Sequence, residues 1–392
     1  MQKRDAAVIG AGPAGLATAA ELRRRGVDVV VIDRADAVGS SWRGHYDRLH
    51  LHTVRWLSGL PGLRMPRSYG RWVHRDKVIE YLERYAAHHE LDLLLETEVR
   101  GLSRGGDGWV LDTSREEIVA GSVVVATGYN NTPFMPDYPG RDGYTGTLTH
   151  ASRYRNAEPY RGRDVLVVGS GNTGAEIAVD LVEGGARRVR LAVRTPPNIV
   201  RRQVGGTPNQ VLTLGLRHLP PRLVDAVARV ARRLTIGDLS AYGLPEPERG
   251  VYTRVIEDDV IPIIDVGLIR CVKRRQIEIV GALLGFDGPE VVLSGHERVQ
   301  PDAVIVATGY MRGLEPLVGG LGVLGEKGKP LVSGARTHPS APGLYFTGYT
   351  NPISGMFREL ALDARRIAKA VARERSDRRA AAAPADPARA AA

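Results

Sequence analysis

Cysteine is almost absent. Among 392 residues there is one, Cys271, so no intramolecular disulfide and no C-x-x-C pair can form, and redox enzymes that work through a dithiol are excluded. Cys271 itself is expected to be a small core residue. Long apolar runs are missing too: none approaches the roughly 20 residues of a membrane helix, and stable membrane insertion is not expected. Lys3 and Arg4 lead straight into a strand-like stretch, which leaves no room for a signal peptide, so the expected location is cytoplasmic. The formal charge is +10, but the basic residues are scattered and form no block. Nucleic acid is therefore not an expected partner. His88, His89 and His338 have no metal-ligand spacing; they read as surface residues, and no metal is expected.

Glycine, by contrast, is plentiful at 46 residues, and it falls where apolar runs end, as tight turns after strands require. Ala6–Ile9 reads as a buried strand meeting Gly10, Pro13–Arg25 as a helix and Val27–Asp33 as a second strand. Asp76–His89 has helical spacing, while Leu93–Val99, Trp109–Thr113 and Val123–Thr127 read as strands. From Asn130 to Arg163 the composition shifts to Pro, Gly, Tyr and polar residues, as a crossing between domains would. Strand, helix and strand then recur at Val165–Val168, Asn172–Val182 and Val189–Val193, followed by hairpin-like strands over Gln276–Leu293. The strand Ala303–Thr308 runs into Ala307-Thr308-Gly309-Tyr310, an echo of Ala126-Thr127-Gly128-Tyr129, which reads as the return to the first domain. Leu344–Thr347 and Gly355–Arg373 complete it as strand and helix.

Two glycine fingerprints carry the chemistry. Gly10-Ala11-Gly12-Pro13-Ala14-Gly15 lies between strand and helix, and Asp33, followed by Arg34, ends the next strand at the distance expected of a ribose-binding acid. Such a turn lets helix N–H groups meet a pyrophosphate, and Asp33 suits an unphosphorylated adenosine ribose. FAD meets that requirement, as would NAD. Gly169-Ser170-Gly171-Asn172-Thr173-Gly174 repeats the turn, but its next strand ends Val193-Arg194-Thr195 without an acid. Arg194 suits a 2′-phosphate, with Arg201 and Arg202 as possible additions, so NADPH is expected there. Two different dinucleotides are what hydride transfer from a nicotinamide to a flavin needs.

The expected fold class is α/β, with two Rossmann-like dinucleotide-binding domains, the NADPH domain inserted in the FAD domain. The boundaries are 1–130 for the first part of the FAD domain and 131–163 for a linker. The NADPH domain follows over 164–300 with an insert at 211–250, then the FAD return over 301–375 and a disordered tail over 376–392.

The linker contains Tyr144-Thr145-Gly146-Thr147-Leu148-Thr149-His150-Ala151-Ser152-Arg153-Tyr154. This resembles the F-x-G-x-x-x-H-x-x-x-(F/Y) signature of flavin-containing monooxygenases, with Tyr for the first Phe. Its final Tyr154 stands where Baeyer-Villiger enzymes have Trp. Gly39-Ser40-Ser41-Trp42, Tyr46 to His52, Gly171 to Gly174, Asp265-Val266-Gly267 and both A-T-G-Y strands are similar to the YUCCA-like branch and its bacterial relatives. The resemblance implies that Trp42 to His52 lies along the flavin and that Asn172 sits near flavin and nicotinamide. It also implies that Gly348 to Gly355 closes the FAD site. Asn172 and His52 are the catalytic candidates; animal-type members have Asn where this chain has His52. Gly10, Gly12, Pro13, Ala14, Gly15, Asp33, Arg34, Trp42, His52, Ala126, Thr127, Gly128, Gly309 and Gly348 are the expected FAD-side contacts. Gly169, Gly171, Asn172, Thr173, Gly174 and Arg194 are those of NADPH.

The implied activity is reduction of FAD by NADPH, addition of molecular oxygen at flavin C4a and delivery of one atom to a small organic substrate. An amine or sulfide would be oxygenated directly; a 2-oxo acid such as indole-3-pyruvate would lose carbon dioxide. An NADPH oxidase without oxygenation and a non-catalytic flavin redox sensor are the alternatives. Leu223–Leu234 reads as an amphipathic helix, either packed by its apolar face or a lid. Monomer and homodimer both stay open.

Overall fold

The computed structural model describes residues 2–106, 108–216 and 218–382. Strands β1 (Gln2–Ile9) and β2 (Val29–Ile32) bury Ala6–Ile9 and all of Val29–Ile32. Strands that are apolar on both faces belong inside a parallel sheet covered on both sides. Helix α1 (Pro13–Arg23) connects them, with Pro13 at the first helical position, where its missing N–H costs nothing. The short α2 (Ser40–Arg43) and the longer α3 (Arg75–His88) lead to β3 (Asp92–Leu94) beside β2. Strands β4 (Val99–Gly105), β5 (Gly108–Thr113) and β6 (Ile118–Val125) form an antiparallel meander that returns parallel to β1. The expected single strand Leu93–Val99 is broken, because Glu96 takes a left-handed φ of 49° and ties its N–H back to Ala35.

After β7 (Thr132–Pro133), the second sheet takes β8 (Thr147–His150), β9 (Asp164–Val168), α4 (Asn172–Glu183) and β10 (Arg188–Ala192). An insert follows: β11 (Ile199–Arg201), β12 (Gln203–Val204), β13 (Thr207–Pro208), α5 (Asn209–Leu216), α6 (Pro221–Thr235), α7 (Val251–Glu257) and β14 (Ile263–Asp265). Strands β11 and β14 pair in parallel and close its base. Then come α8 (Leu268–Lys273), β15 (Ile277–Val280), the meander β16 (Leu283–Asp287), β17 (Glu290–Leu293) and β18 (Arg298–Val299), and β19 (Ala303–Val306). The sheet order is β15-β10-β9-β19-β8, all parallel.

The return to the first sheet therefore does not begin at 301. β19 is buried at every residue and lies between β9 and β8 in the second sheet, and β8 draws the linker into that sheet as its edge. The chain goes back through β20 (Tyr310–Met311), which pairs antiparallel with β7, so the outgoing and returning crossings are bound to each other. Helix α9 (Glu315–Val318) precedes β21 (Leu344–Phe346), which joins β6, and α10 (Met356–Ala382) packs along α1 through the fully buried Ala364, Ile367, Ala368 and Val371.

The disorder expected from 376 does not begin there. Helix α10 continues through Ala382, held by Arg375 on Asp5 at 2.8 Å and by Arg378 donating to Ser122 Oγ at 3.3 Å; residues 383–392 of the expected tail lie outside the described residues. The amphipathic helix α6 is present, but its apolar stripe is turned outward instead of inward. Among the described residues no helix is long and apolar enough to cross a membrane.

Candidate active site

The two fingerprints are geometric copies. The Gly10 N–H donates to Ile32 at 2.7 Å, the Gly169 N–H to Ala192 at 3.2 Å, and their φ values are 112° and 114°. A Cβ at either glycine would run into the carbonyl of Ala126 or Ala307, and one at Gly15 or Gly174 would collide with the carbonyl of Gly10 or Gly169. The fold itself requires these four glycines. Gly12 and Gly171 are different: their φ values of −85° and −87° are open to any residue, and a Cβ there would meet no atom of the described residues within 4 Å. The free space sits against the first-turn amides of α1 and α4, which have no intrahelical acceptors. A phosphate approaching a helix N-terminus needs that space and those donors, so both turns fit a dinucleotide.

The Asp33 carboxylate accepts from the Ala11 N–H at 2.6 Å and the Ala35 N–H at 2.9 Å, which pins it beside the first glycine turn with lone pairs left for a ribose hydroxyl. Arg34 next to it is exposed. On the second sheet, Arg188 and Arg190 are committed to Glu278 and Asp164. Arg194 is exposed and carries no ion pair among the described residues, with Tyr138 in its field. Arg201 and Arg202, expected as helpers, are occupied elsewhere. Arg201 binds Asp265 at 2.7 Å, and Arg202 donates to the Leu51 carbonyl at 2.6 Å while its guanidinium lies 4.1 Å over the Trp72 ring.

The strand-end motifs line the same face. Thr127 meets the Tyr349 hydroxyl through its N–H at 3.1 Å and its Oγ1 at 2.8 Å, and burial pushes the Tyr349 phenol up to about 12. Gly128 and Gly309 turn the chain with φ of 93° and 86°. Gly348, with φ of 85°, passes over Ala14 at the start of α1. Gln210 of α5 closes this side: its Oε1 accepts from the Val54 N–H at 2.9 Å and its Nε2 donates to the Ser354 carbonyl at 2.6 Å. Trp42 packs edge-on to Phe357, with ring centroids 5.9 Å apart.

Asn172, Glu176, Asp180 and Glu183 share one face of α4 and turn it into a polar seam against the loop 46–52. His52 Nε2 lies 2.8 Å from Glu176 Oε1, while His52 Nδ1 is buried without a partner among the described residues. Burial and the adjoining Glu176 drive the Tyr46 phenol well up. Arg48 pairs with Glu183 at 3.1 Å, and Tyr154 donates to Asp180 at 2.6 Å. The Asn172 amide is used at both ends, donating to the Pro262 carbonyl at 3.0 Å and accepting from the Ile264 N–H at 2.7 Å. Asn172 thus braces the base of the insert with its carbonyl and one N–H, and its amide nitrogen keeps a second N–H able to donate. Thr173 follows it in the first turn of α4.

The signature Tyr144–Tyr154 is a set of braces. Tyr144 donates to the Pro301 carbonyl at 2.8 Å and fills the space a Cβ at Gly146 would take. His150 accepts from the Ser152 N–H through Nδ1, which leaves Nε2 to donate to the Gly309 carbonyl at 3.1 Å; burial holds its imidazole below the ordinary value. His89, read as a surface residue, instead packs on Tyr85 with centroids 4.5 Å apart and fills the space beside Gly62. The sequence reading missed Glu176, Tyr349 and Gln210. Glu176 stands one helical turn after Asn172 and Tyr349 next to Gly348, so proximity to the motifs could have flagged both. Gln210 lies 156 and 144 residues from its partners, and no local signal marks it.

Two parallel dinucleotide folds, the second strung between the crossings of the first and each with a phosphate cradle at a helix start, define an oxidoreductase that uses FAD and NADPH. Residues 7–204 match the family described as Pyridine nucleotide-disulphide oxidoreductase. Probable indole-3-pyruvate monooxygenase YUCCA7 of Arabidopsis thaliana is 33% identical over 358 residues, covering 88% of this chain and 82% of that protein. The chain belongs to the flavin-containing monooxygenase family, as an FAD-dependent enzyme that takes electrons from NADPH and acts with oxygen on a small molecule. Indole-3-pyruvate monooxygenase YUCCA1 of Oryza sativa subsp. japonica is likewise 33% identical, over 352 residues that cover 88% of this chain and 86% of that protein. The fold is shared with a flavin-containing monooxygenase from Stenotrophomonas maltophilia, at TM-score 0.72 and 23% identity over 96% of this chain and 99% of that one. Cyclohexanone monooxygenase from Rhodococcus sp. Phi1 bound to NADP+ superposes at TM-score 0.72 and 20% identity, over 96% of this chain and 85% of that one.

Proposed function

We propose that the substrate is a 2-oxo acid of the indole-3-pyruvate kind, which the enzyme converts with NADPH, a proton and oxygen into the acid one carbon shorter, carbon dioxide, water and NADP+. The observation that carries this reading is Arg202. It comes from the insert, reaches the carbonyl of Leu51 beside His52 and has no carboxylate within ion-pair distance among the described residues. Burial lowers its guanidinium to about 10 against the opposing pull of Glu176, so a carboxylate brought in by the substrate would give it a direct ion-pair partner. The YUCCA relatives, named for indole-3-pyruvate, support the same class.

FAD reduced by NADPH supplies the oxygen-activating chemistry. The residues of the chain bind, orient and exclude water. Gly12 and Gly171 admit the two pyrophosphates, Asp33 takes the FAD ribose, and Arg194 takes the NADPH 2′-phosphate. His52 and Asn172 are the catalytic candidates at the junction of the two domains, and Asn172 also braces β14 through the Ile264 N–H. Incubating the FAD-loaded enzyme with NADPH and indole-3-pyruvate, an alkyl amine and an alkyl sulfide in parallel, with mass analysis of the products, tests the reading. Loss of carbon dioxide from the 2-oxo acid alone is expected. An oxygen gained by the amine or sulfide, with the 2-oxo acid untouched, overturns it.

A further inference from the structure

Helix α6 breaks the rule that an amphipathic helix turns its apolar face to the protein. Leu223, Val227, Val230 and Leu234 follow one another at helical spacing and are 49%, 46%, 58% and 82% exposed, with the exposed Ala226 and Ala231 between them. The orientation is fixed from the other side. Val224 and Asp225 are buried, and the Asp225 carboxylate accepts from the Tyr252 N–H at 2.6 Å and the Thr253 N–H at 3.2 Å, at the start of α7. Rolling the stripe inward would pull that carboxylate off two backbone donors, so the outward face is built in.

The edge of the stripe is cationic. Arg222, Arg229 and Arg233 form a ridge along one side of it, at spacings of seven and four residues. Arg229, Arg232 and Arg233 share the single carboxylate of Glu246, at 3.6 to 3.9 Å. The one acid on the helix, Asp225, is already spent on α7. Leu219 just before the helix and Ile256 on α7 are also exposed.

We infer that α6 is a lipid-docking helix, which lays the insert reversibly on an anionic membrane surface. An apolar stripe flanked by arginines is what an interfacial helix presents to acyl chains and acidic headgroups. The same ridge disfavours a second copy of this chain as the occupant, because antiparallel pairing of two α6 helices would bring six arginines together around two Glu246 carboxylates. Docking there would set the insert, and with it Gln210 and Arg202, against the layer in which apolar aromatic metabolites concentrate.

The test uses the full FAD-loaded protein in vesicle co-sedimentation, with phosphatidylcholine vesicles alone and with an equal part of phosphatidylglycerol. Binding to the anionic vesicles is expected to exceed that to neutral ones by about tenfold or more and to be lost in molar salt. Val230→Asp with Leu234→Asp should abolish it, and Arg229→Gln with Arg233→Gln should remove the preference for anionic lipid. All four positions face solvent, so melting temperature and the flavin spectrum are expected to stay as in the parent, which separates loss of docking from loss of fold. No sedimentation with either vesicle overturns the inference. So does a dimer, seen by analytical ultracentrifugation, that the Asp variants split while lipid binding is absent.

Discussion

Val193 stands in the second nucleotide fold where Asp33 stands in the first. The Gly10 N–H bonds the last residue of β2, Ile32, and the Gly169 N–H bonds the last residue of β10, Ala192; one residue further, the N–H of Asp33 donates to Leu94 and that of Val193 to Val280. Arg194 is thus the counterpart of Arg34, and the second turn has an apolar side chain where the first has its ribose acid. A carboxylate at that place would repel a 2′-phosphate, and valine leaves it to the arginine that follows.

The first prediction comes from this substitution. Arg194→Ala should raise the KM for NADPH by about tenfold or more and leave that for NADH little changed, since a charge-assisted phosphate contact contributes about 1.5–3 kcal/mol. Val193→Asp should go further and reverse the preference, because the new carboxylate accepts from a ribose hydroxyl and opposes the phosphate. Steady-state kinetics with both coenzymes checks this, and equal losses with the two would remove Arg194 from its assigned place.

Gly12 and Gly15, three residues apart, should fail in different ways. A methyl at position 12 meets no atom of the described residues, so Gly12→Ala is expected to keep its melting temperature in the apo form and lose FAD retention. A methyl at position 15 collides with the Gly10 carbonyl, so Gly15→Ala should lower the stability of the apo protein itself. Calorimetry of the apoproteins beside flavin content on purification separates the two. A yellow, FAD-saturated Gly12→Ala protein would count against the cradle.

Much of this was legible in the sequence because the chemistry is local. A phosphate turn needs its glycines within six positions and its strand and helix on either side, so both fingerprints and Asp33 could be read directly. Placement of β19 could not be. Its A-T-G-Y ending is shared by both sheets, and only the registers of Ala303–Val306 with Val165–Val168 and with Thr147–His150 decide which sheet holds it. Glu176 escaped for a related reason: a glutamate in the second turn of a helix usually faces solvent, and only the approach of His52 from the other domain gives it meaning. The face α6 buries was equally hidden, because Asp225 sets its rotation through partners on α7, 27 and 28 residues away.

Stability is expected to fall as pH drops below the ordinary histidine value of 6.5, because burial holds His45, His50, His89 and His150 below it. In that window the unfolded chain takes up protons that the folded chain refuses, so the unfolded state binds more and stability declines with falling pH. The loss is complete once pH passes below each folded-state value, and above 6.5 these groups give no slope. Carboxylates held low, such as Asp47 and Glu80, act in a separate window below their ordinary 3.8 and 4.5. Urea unfolding on either side of 6.5 measures the slope. His150→Gln should reduce it by up to about 1.4 kcal/mol per pH unit, and a flat profile between 5 and 7 would contradict the burial of these rings.

Gln210 supplies the last prediction, because its side chain ties the insert to two distant segments of the FAD domain, at Val54 and at Ser354. It is 7% exposed, its carbonyl serves the Val54 N–H and its amide serves the Ser354 carbonyl. Gly355 stands so close that a Cβ there would lie 2.7 Å from Thr53 and 2.5 Å from the Gln210 amide, so the Gln210 side chain is packed tightly between these segments. Gln210→Ala leaves both backbone groups without a partner, at a cost of about 1–3 kcal/mol for each that stays buried. The cheapest relief is for α5 to lift, since α5 is exposed along most of its outer side while the FAD domain keeps its own core. Faster proteolysis in the 203–219 stretch is therefore expected, with FAD content and the KM for NADPH unchanged. Water admitted over the flavin should spill NADPH electrons into hydrogen peroxide, so the ratio of peroxide to oxygenated product rises. An unchanged ratio together with faster proteolysis would mean that α5 opens without uncovering the flavin and that the wall excluding water is formed by other residues.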